Sequence, residues 1–326
     1  YSKHRFCVAP MIDVTDRHYR YLARLLSKHA LLYTEMITTG AILNGDQDYL
    51  LSYTHQEHPL VLQLGGSNTD ELAQCARIGE SYGYDEINLN VGCPSDKVQN
   101  HMIGACLMAH PKLVADCMQS MIEAVKIPVT IKHRIGIDDV DDYDVLAGFV
   151  EQVNQSGCDT FIVHARNAIL KGLSPKQNRE VPPLQYEKVY RLKEDFPNLE
   201  IIINGGIDNI ADCQQHLTKV DGVMLGRAAN HNSAILTQVD QQLYGSNLAI
   251  PQRREVSLAY FTYMQQQHEK GTSLHHMSGH IMGLFQGIPG ARALRRHISE
   301  HIHDSSATIQ VMYDALDLIE TAPAPV

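Results

Sequence analysis

The sequence predicts an α/β fold, a closed (β/α)8 TIM barrel followed by a small C-terminal helical domain. Three observations predict it. Eight short runs rich in Val, Ile and Leu recur up to Arg227, each ending in a polar or glycine-bearing corner. Amphipathic stretches lie between them, and strands alternating with helices imply parallel pairing. Eight such units in roughly 240 residues suit a closed barrel; an open doubly wound sheet is the runner-up.

The eight runs are RFCVAP (5–10), LLYTEM (31–36), LVLQLGG (60–66), DEINLN (85–90), PVTIKHR (128–134), TFIVHAR (160–166), EIIINGG (200–206) and DGVMLGR (221–227). Helical patterns follow at DRHYRYLARLLSKH (16–29), TDELAQCARIGESYG (69–83) and PKLVADCMQSMIEAVK (111–126). The stretch LYGSNLAIPQRRE, with its Gly, Ser, Asn and Pro, marks a boundary. It divides the chain into a barrel at 1–247 and a helical unit at 248–326. In the latter, REVSLAYFTYMQQQHEK, SLHHMSGHIMGLFQG and SATIQVMYDALDLIET read as helices, and APAPV as a frayed end.

Composition narrows the function. A hydrophobic content of 44% suits a globular enzyme. No apolar run approaches the ~18 residues of a membrane span, and YSKHRFCVAP is no secretory signal. The seven cysteines are odd in number and form no Cys-x-x-Cys pair, which disfavours a disulfide framework or a zinc site and suits a reducing cytoplasm. HHMSGHIM reads as packing with a polar face rather than a metal site, since no carboxylate or cysteine within it completes a ligand set. The formal charge of −10 argues against a general polyanion binder, so a nucleic-acid partner needs a local basic face.

Polar residues collect where the strands end: Pro10-Met11, Glu35, Gln63, Asn88 and Asn90, Lys132, His164, Asn204-Gly205-Gly206 and Gly226-Arg227. In this barrel class that face carries the active site. His164 alone reads as a core histidine and Lys132 as a solvated strand end. Together, inward polar groups on so many adjacent strands are hard to explain by packing. The corners INGGI and LGRA follow strands seven and eight, the usual phosphate site of such barrels. Glycine N–H groups can approach an anion closely there, and Arg227 adds a fork-shaped charge. No GxGxxG follows the first strand, so a Rossmann dinucleotide site is not indicated. FMN suits the layout without being required by it, with Gln63 and Lys132 beside its ring.

Longer motifs carry a resemblance. APMIDVTDRH, YTEMITTGAI, LQLGG, DEINLNVGCPSDKVQN, GACLM, IKHRIG, HARNAILKGLSPKQNREVPPL, INGGI, GVMLGR and MGLFQGIPGARALRRHISE together resemble the tRNA-dihydrouridine synthases, the bacterial A-type subfamily above all. The resemblance implies an FMN-bearing barrel that reduces uridine to 5,6-dihydrouridine in the tRNA D-loop, at positions 20 and 20a, with NADPH as reductant. It places flavin contacts on Pro10, Met11, Ile12, Gln63, Lys132, His164, Asn204, Gly205, Gly206, Gly226 and Arg227. It places the catalytic acid on Cys93 and tRNA contacts on Asn90, Lys176, Arg179, Arg292 and Arg295. A cytoplasmic monomer without metal is expected. The chain departs from the family pattern in having no tryptophan, with Val14, Ile169 and Leu294 where relatives often carry one. It also reads AANHN after Arg227, and has His133 in the fifth strand.

The Gly-Cys-Pro corner at 92–94 then has a chemical reading. Hydride addition at uracil C6 leaves negative charge on C5 and the C4 oxygen, and a proton must reach C5. A thiol is largely protonated near neutral pH and can supply it. Cys75, Cys117 and Cys213 fall inside helical patterns and read as inert. A base in folded tRNA must be extruded to reach a pocket, which calls for a gripping surface. From His164 to Arg179 four basic residues (Arg166, Lys171, Lys176, Arg179) occur with no acid, and SPKQNREVPP is too proline-rich for a regular helix. Arg292, Arg295 and Arg296 share one face of a tail helix by their spacing. Two rivals are a flavin barrel reducing a free pyrimidine or small enone, which would need neither basic region, and a tRNA-folding aid with dispensable chemistry.

Overall fold

Alternation along each strand decides which side chains meet inside the barrel and which meet the helices. The computed structural model describes residues 1–95, 102–140, 142–304 and 306–320. Residues 96–101, which continue the Cys93 corner, and the frayed end expected at 322–326 lie outside the described residues. All eight expected runs form strands: β1 Phe6–Val8, β2 Leu31–Thr38, β3 Leu60–Gly65, β4 Glu86–Val91, β5 Val129–Arg134, β6 Thr160–His164, β7 Glu200–Asn204 and β8 Gly222–Leu225. They pair in parallel and in sequence order, and β8 closes on β1 with Phe6 opposite Val223.

Ile87, Leu89 and Val91 of β4 join the core between strands and helices, which leaves Glu86, Asn88 and Asn90 on the bore side. Much of the bore is apolar, filled by Cys7, Leu31, Tyr33, Val61, Ile162, Ile202 and Met224. Along β3, β4 and β5 the layers turn polar, because Gln63 lies opposite Asn88 and Asn88 opposite Thr130.

The expected helices form with recognisable ends. Asp16 caps Arg17–Leu26 by accepting the N–H groups of His18 and Tyr19 at 2.9 and 2.8 Å. Asn68 caps Thr69–Tyr82, which Gly83 ends in the left-handed conformation. Pro111 opens Pro111–Ala124, where a missing N–H is harmless.

In the tail, Arg253–Glu269, Ala291–His301 and Gln310–Glu320 are helices. The stretch expected as one helix at 273–287 is instead a short helix, Leu274–Ser278, continued by a 3-10 turn, Gly279–Phe285. The reason is close packing: a Cβ on Gly283 would sit 2.0 Å from the carbonyl oxygen of Asn230, so the tail backbone rests directly on the segment after β8. Further along the seam, Tyr21 stacks on Tyr263 at 3.9 Å, and the Asp16 carboxylate faces His280 and His276 at 3.1 and 3.2 Å. One apolar core runs from the barrel helices into Phe261, Met264, Leu284 and Phe285. Among the described residues no helix is long and apolar enough to cross a membrane.

Candidate active site at the carboxyl ends of the strands

Among the described residues, four hydrogen bonds to backbone groups fix the Gly92–Cys93 corner at the mouth. The Asn90 side-chain oxygen accepts the N–H groups of Gly92 at 3.1 Å and Cys93 at 3.0 Å. The Gly92 carbonyl accepts from Arg134 Nε at 3.1 Å, and the Cys93 carbonyl accepts from Ala105 N–H at 2.8 Å. Gly104 makes the last of these possible: its φ is +85°, and a Cβ there would lie 2.3 Å from the Cys93 oxygen. Cys93 is half-buried, unlike the fully packed Cys75, Cys117 and Cys213.

Below the corner the side chains are connected. Asn90 Nδ2 donates to Gln63 Oε1 at 2.8 Å, and Gln63 Nε2 donates to Asn88 Oδ1 at 2.8 Å. Beside them Lys132, half-buried on β5, has no ion-pair partner among the described residues. Burial, helped by the Arg134 cation, lowers its pKa to about 7. His164 is buried one strand on. Desolvation, then the Arg134 and Lys132 charges, holds its pKa well below the usual value, so it is neutral at pH 7. Its Nδ1 finds no partner among the described residues, an unusual cost for a buried ring nitrogen.

The glycine corners close the far side. Gly205 and Gly206 have φ of +115° and +70°, and a Cβ on Gly206 would meet Leu184 at 2.5 Å and the Tyr186 hydroxyl at 2.9 Å. Asn204 anchors this corner by donating to the Met224 carbonyl at 2.8 Å. Gly226 precedes the short helix Arg227–His231. Arg227 is paired with Glu180 at 2.7 Å; the two are 41% and 45% exposed, so an incoming anion would displace a weak ion pair. Pro10 and Met11 are half-buried and Ile12 is 55% exposed on the same face. The unpartnered His164 nitrogen, the unpaired Lys132 and the paired glycine corners fit a phosphate-bearing ring ligand such as FMN. Among the described residues no cluster of three or more His, Cys, Asp or Glu could hold a metal ion.

The expected tRNA contacts are less gathered. Asn90 lies in the mouth, while Lys176 and Arg179 are exposed on the loop after β6, where residues 177–179 make one 3-10 turn. Arg292 is exposed, and Arg295 donates to Gln286 at 2.6 Å beside a cleft of about 400 Å³ between the tail and Asn230-His231. His133 points away from the bore: it packs against Phe149 and Phe161, and burial lowers its pKa to about 4.

Several residues that shape the site were not singled out from sequence. Buried Arg134 ties the Cys93 corner to the carbonyls of Asn167 and Asn178 at 3.3 and 3.0 Å. Asn178, fully buried, holds the loop after β6 by accepting from Ile169 N–H and donating to the Ile169 carbonyl. Glu86 and Thr130 lie deeper in the bore. The signal for Glu86 was the alternation in DEINLN, where a buried strand places an acid and two amides on one face.

The family model for dihydrouridine synthase (Dus) matches residues 7–320. A Pseudomonas aeruginosa protein named tRNA-dihydrouridine(20/20a) synthase is 56% identical over 315 residues, covering 97% of this chain and 95% of its own length. Proteins of the same name from Shewanella oneidensis and Escherichia coli K12 are 56% and 55% identical over 316 residues, each covering 97% of this chain and 94% and 91% of their own lengths.

Proposed function

The chain belongs to the dihydrouridine synthase family, and from that premise we propose that it reduces uridine to 5,6-dihydrouridine at positions 20 and 20a of tRNA, in the cytoplasm, with FMN as cofactor and NADPH as reductant. The observation that carries this reading is the Cys93 corner, held at the barrel mouth above the polar layers of β3–β5 and near Lys132, with buried His164 on the next strand. Pro10, Met11, Ile12, Gln63, Lys132, His164 and the Asn204-Gly205-Gly206 and Gly226-Arg227 corners would hold FMN. Bound and reduced there, FMN would be the source of hydride for uracil C6.

The chain's own residues do the rest. Cys93 delivers its proton to C5 as charge develops there and on the C4 oxygen, and the thiolate regains a proton from solvent. NADPH is oxidised and the C5=C6 bond reduced, with one proton taken up overall. Asn90 and Arg134 fix the backbone that carries the thiol, so the acid meets the base in one orientation. We assign residues 1–247 to catalysis and 248–326 to RNA binding, with Lys176, Arg179, Arg292 and Arg295 gripping phosphates around the extruded base.

Intact-mass measurement of an unmodified tRNA transcript tests this. With the purified protein and NADPH the transcript should gain two hydrogens per converted uridine. An unchanged mass, from protein shown to contain flavin, would refute the reading.

A further inference from the structure

The polar column does not stop at Asn88. Asn88 Nδ2 donates to Thr130 Oγ1 at 2.9 Å, and Thr130 donates to Glu86 Oε1 at 2.7 Å. The other Glu86 oxygen takes Lys3 Nζ at 2.7 Å and His4 Nε2 at 2.9 Å, and His4 Nδ1 faces Glu200 at 2.9 Å. Glu86, Asn88 and Gln63 are wholly buried and Thr130 is nearly so. A chain of side-chain hydrogen bonds thus runs from the floor of the barrel to its mouth.

The chain has a direction, and both ends impose it. Glu86 is an ionised carboxylate among donors and can only accept, so the Thr130 hydroxyl must donate downward and accept from Asn88 above. Asn88 must then turn its oxygen to Gln63, and Gln63 its oxygen to Asn90. At the top, the Asn90 oxygen is claimed by the backbone N–H groups of Gly92 and Cys93, which can only donate. Amide orientations are usually ambiguous, but here two independent ends select the same one.

Packing alone does not call for such a column. Ile162, Ile202 and Met224 fill the bore on the other strands, and burying a carboxylate with two amides is costly unless every group is satisfied. The column lies on β3–β5 and leads to the Cys93 corner. We propose that Glu86 and Thr130 are positioning residues, acting through Asn88, Gln63 and Asn90 to hold the Gly92–Cys93 corner in place. Only the consequence for catalysis rests on the role proposed for Cys93.

The test is hydrogen exchange of the Gly92 and Cys93 backbone amides in the purified full chain, with Thr130 replaced by Val or Ser. Thr130→Val keeps the shape and removes the hydroxyl; Thr130→Ser keeps the hydroxyl and removes the methyl. The column predicts exchange roughly five- to tenfold faster in Thr130→Val, about the effect of one hydrogen bond on a local opening, and near wild type in Thr130→Ser. If Thr130→Val does not fold, Thr130→Ala set against Thr130→Ser makes the same comparison. Wild-type exchange in Thr130→Val, or equal acceleration in Ser and Ala, would overturn the proposal. The readout needs neither cofactor nor tRNA, so it stands or falls separately from the assigned reaction, which the transcript mass tests.

Discussion

Lys132, proposed to hold the cofactor, is a charge that the fold buries at a cost. Burial and then Arg134 bring its pKa to about 7, whereas in the unfolded chain it lies near 10.5. Between those values the folded state binds fewer protons, so stability rises with pH across the window, and the full penalty is present below about pH 7. Lys132→Met should therefore raise the melting temperature of the cofactor-free protein most at pH 6.5, with a smaller gain at pH 9.5. Thermal melts of both proteins at both pH values check this, and a gain that does not shrink with pH contradicts it. Cys93 makes the opposite case: its substitution should leave stability and flavin content unchanged. Single-turnover dihydrouridine formation by Cys93→Ala should be slower by roughly 10²–10⁴, the usual effect of removing a positioned general acid. Quantifying dihydrouridine against time at matched flavin content measures this, and a wild-type rate would remove the cysteine from the mechanism.

At the level of elements, the tail and the loop after β6 are built differently. The loop has almost no regular structure and depends on Asn178, whose bonds to Ile169 replace those a helix would provide. The tail helix Ala291–His301 is rigid by comparison, since Ala291, Leu294 and Ile298 anchor one face while Arg292 and Arg296 face outward. Arg292→Ala combined with Arg295→Ala should weaken tRNA binding and flatten the log–log salt slope by roughly 0.7–0.9 for each phosphate that is no longer neutralised. Flavin reduction by NADPH should not change. Titrations at several salt concentrations decide it, and an unaltered slope leaves these arginines as a solvated helix face.

For the molecule as a whole, the barrel was legible because parallel strands buried on both sides leave short, nearly continuous apolar runs, and because β4, with its run DEINLN, carries its polar residues on alternate positions. The mouth was legible for a related reason: the barrel gathers its strand ends on one face, so Gln63, Lys132 and His164 belong together before any distance is known. What was not legible depends on neighbours distant in sequence. Nothing near Gly283 announces that Asn230 will press against it, and nothing near Thr130 announces that Glu86 lies below. The continuous core from barrel helices into the tail sets the barrel mouth and the tail arginines on one framework, as the proposed action on a tRNA base requires. The most direct measurement of the central claim is therefore the location of the product. Unmodified tRNA incubated with the protein and NADPH, then mapped for dihydrouridine by fragment mass spectrometry, should carry it at positions 20 and 20a, the positions in the names of the similar bacterial proteins. Uridines left intact at 20 and 20a, with dihydrouridine elsewhere in the tRNA or absent, would contradict the account.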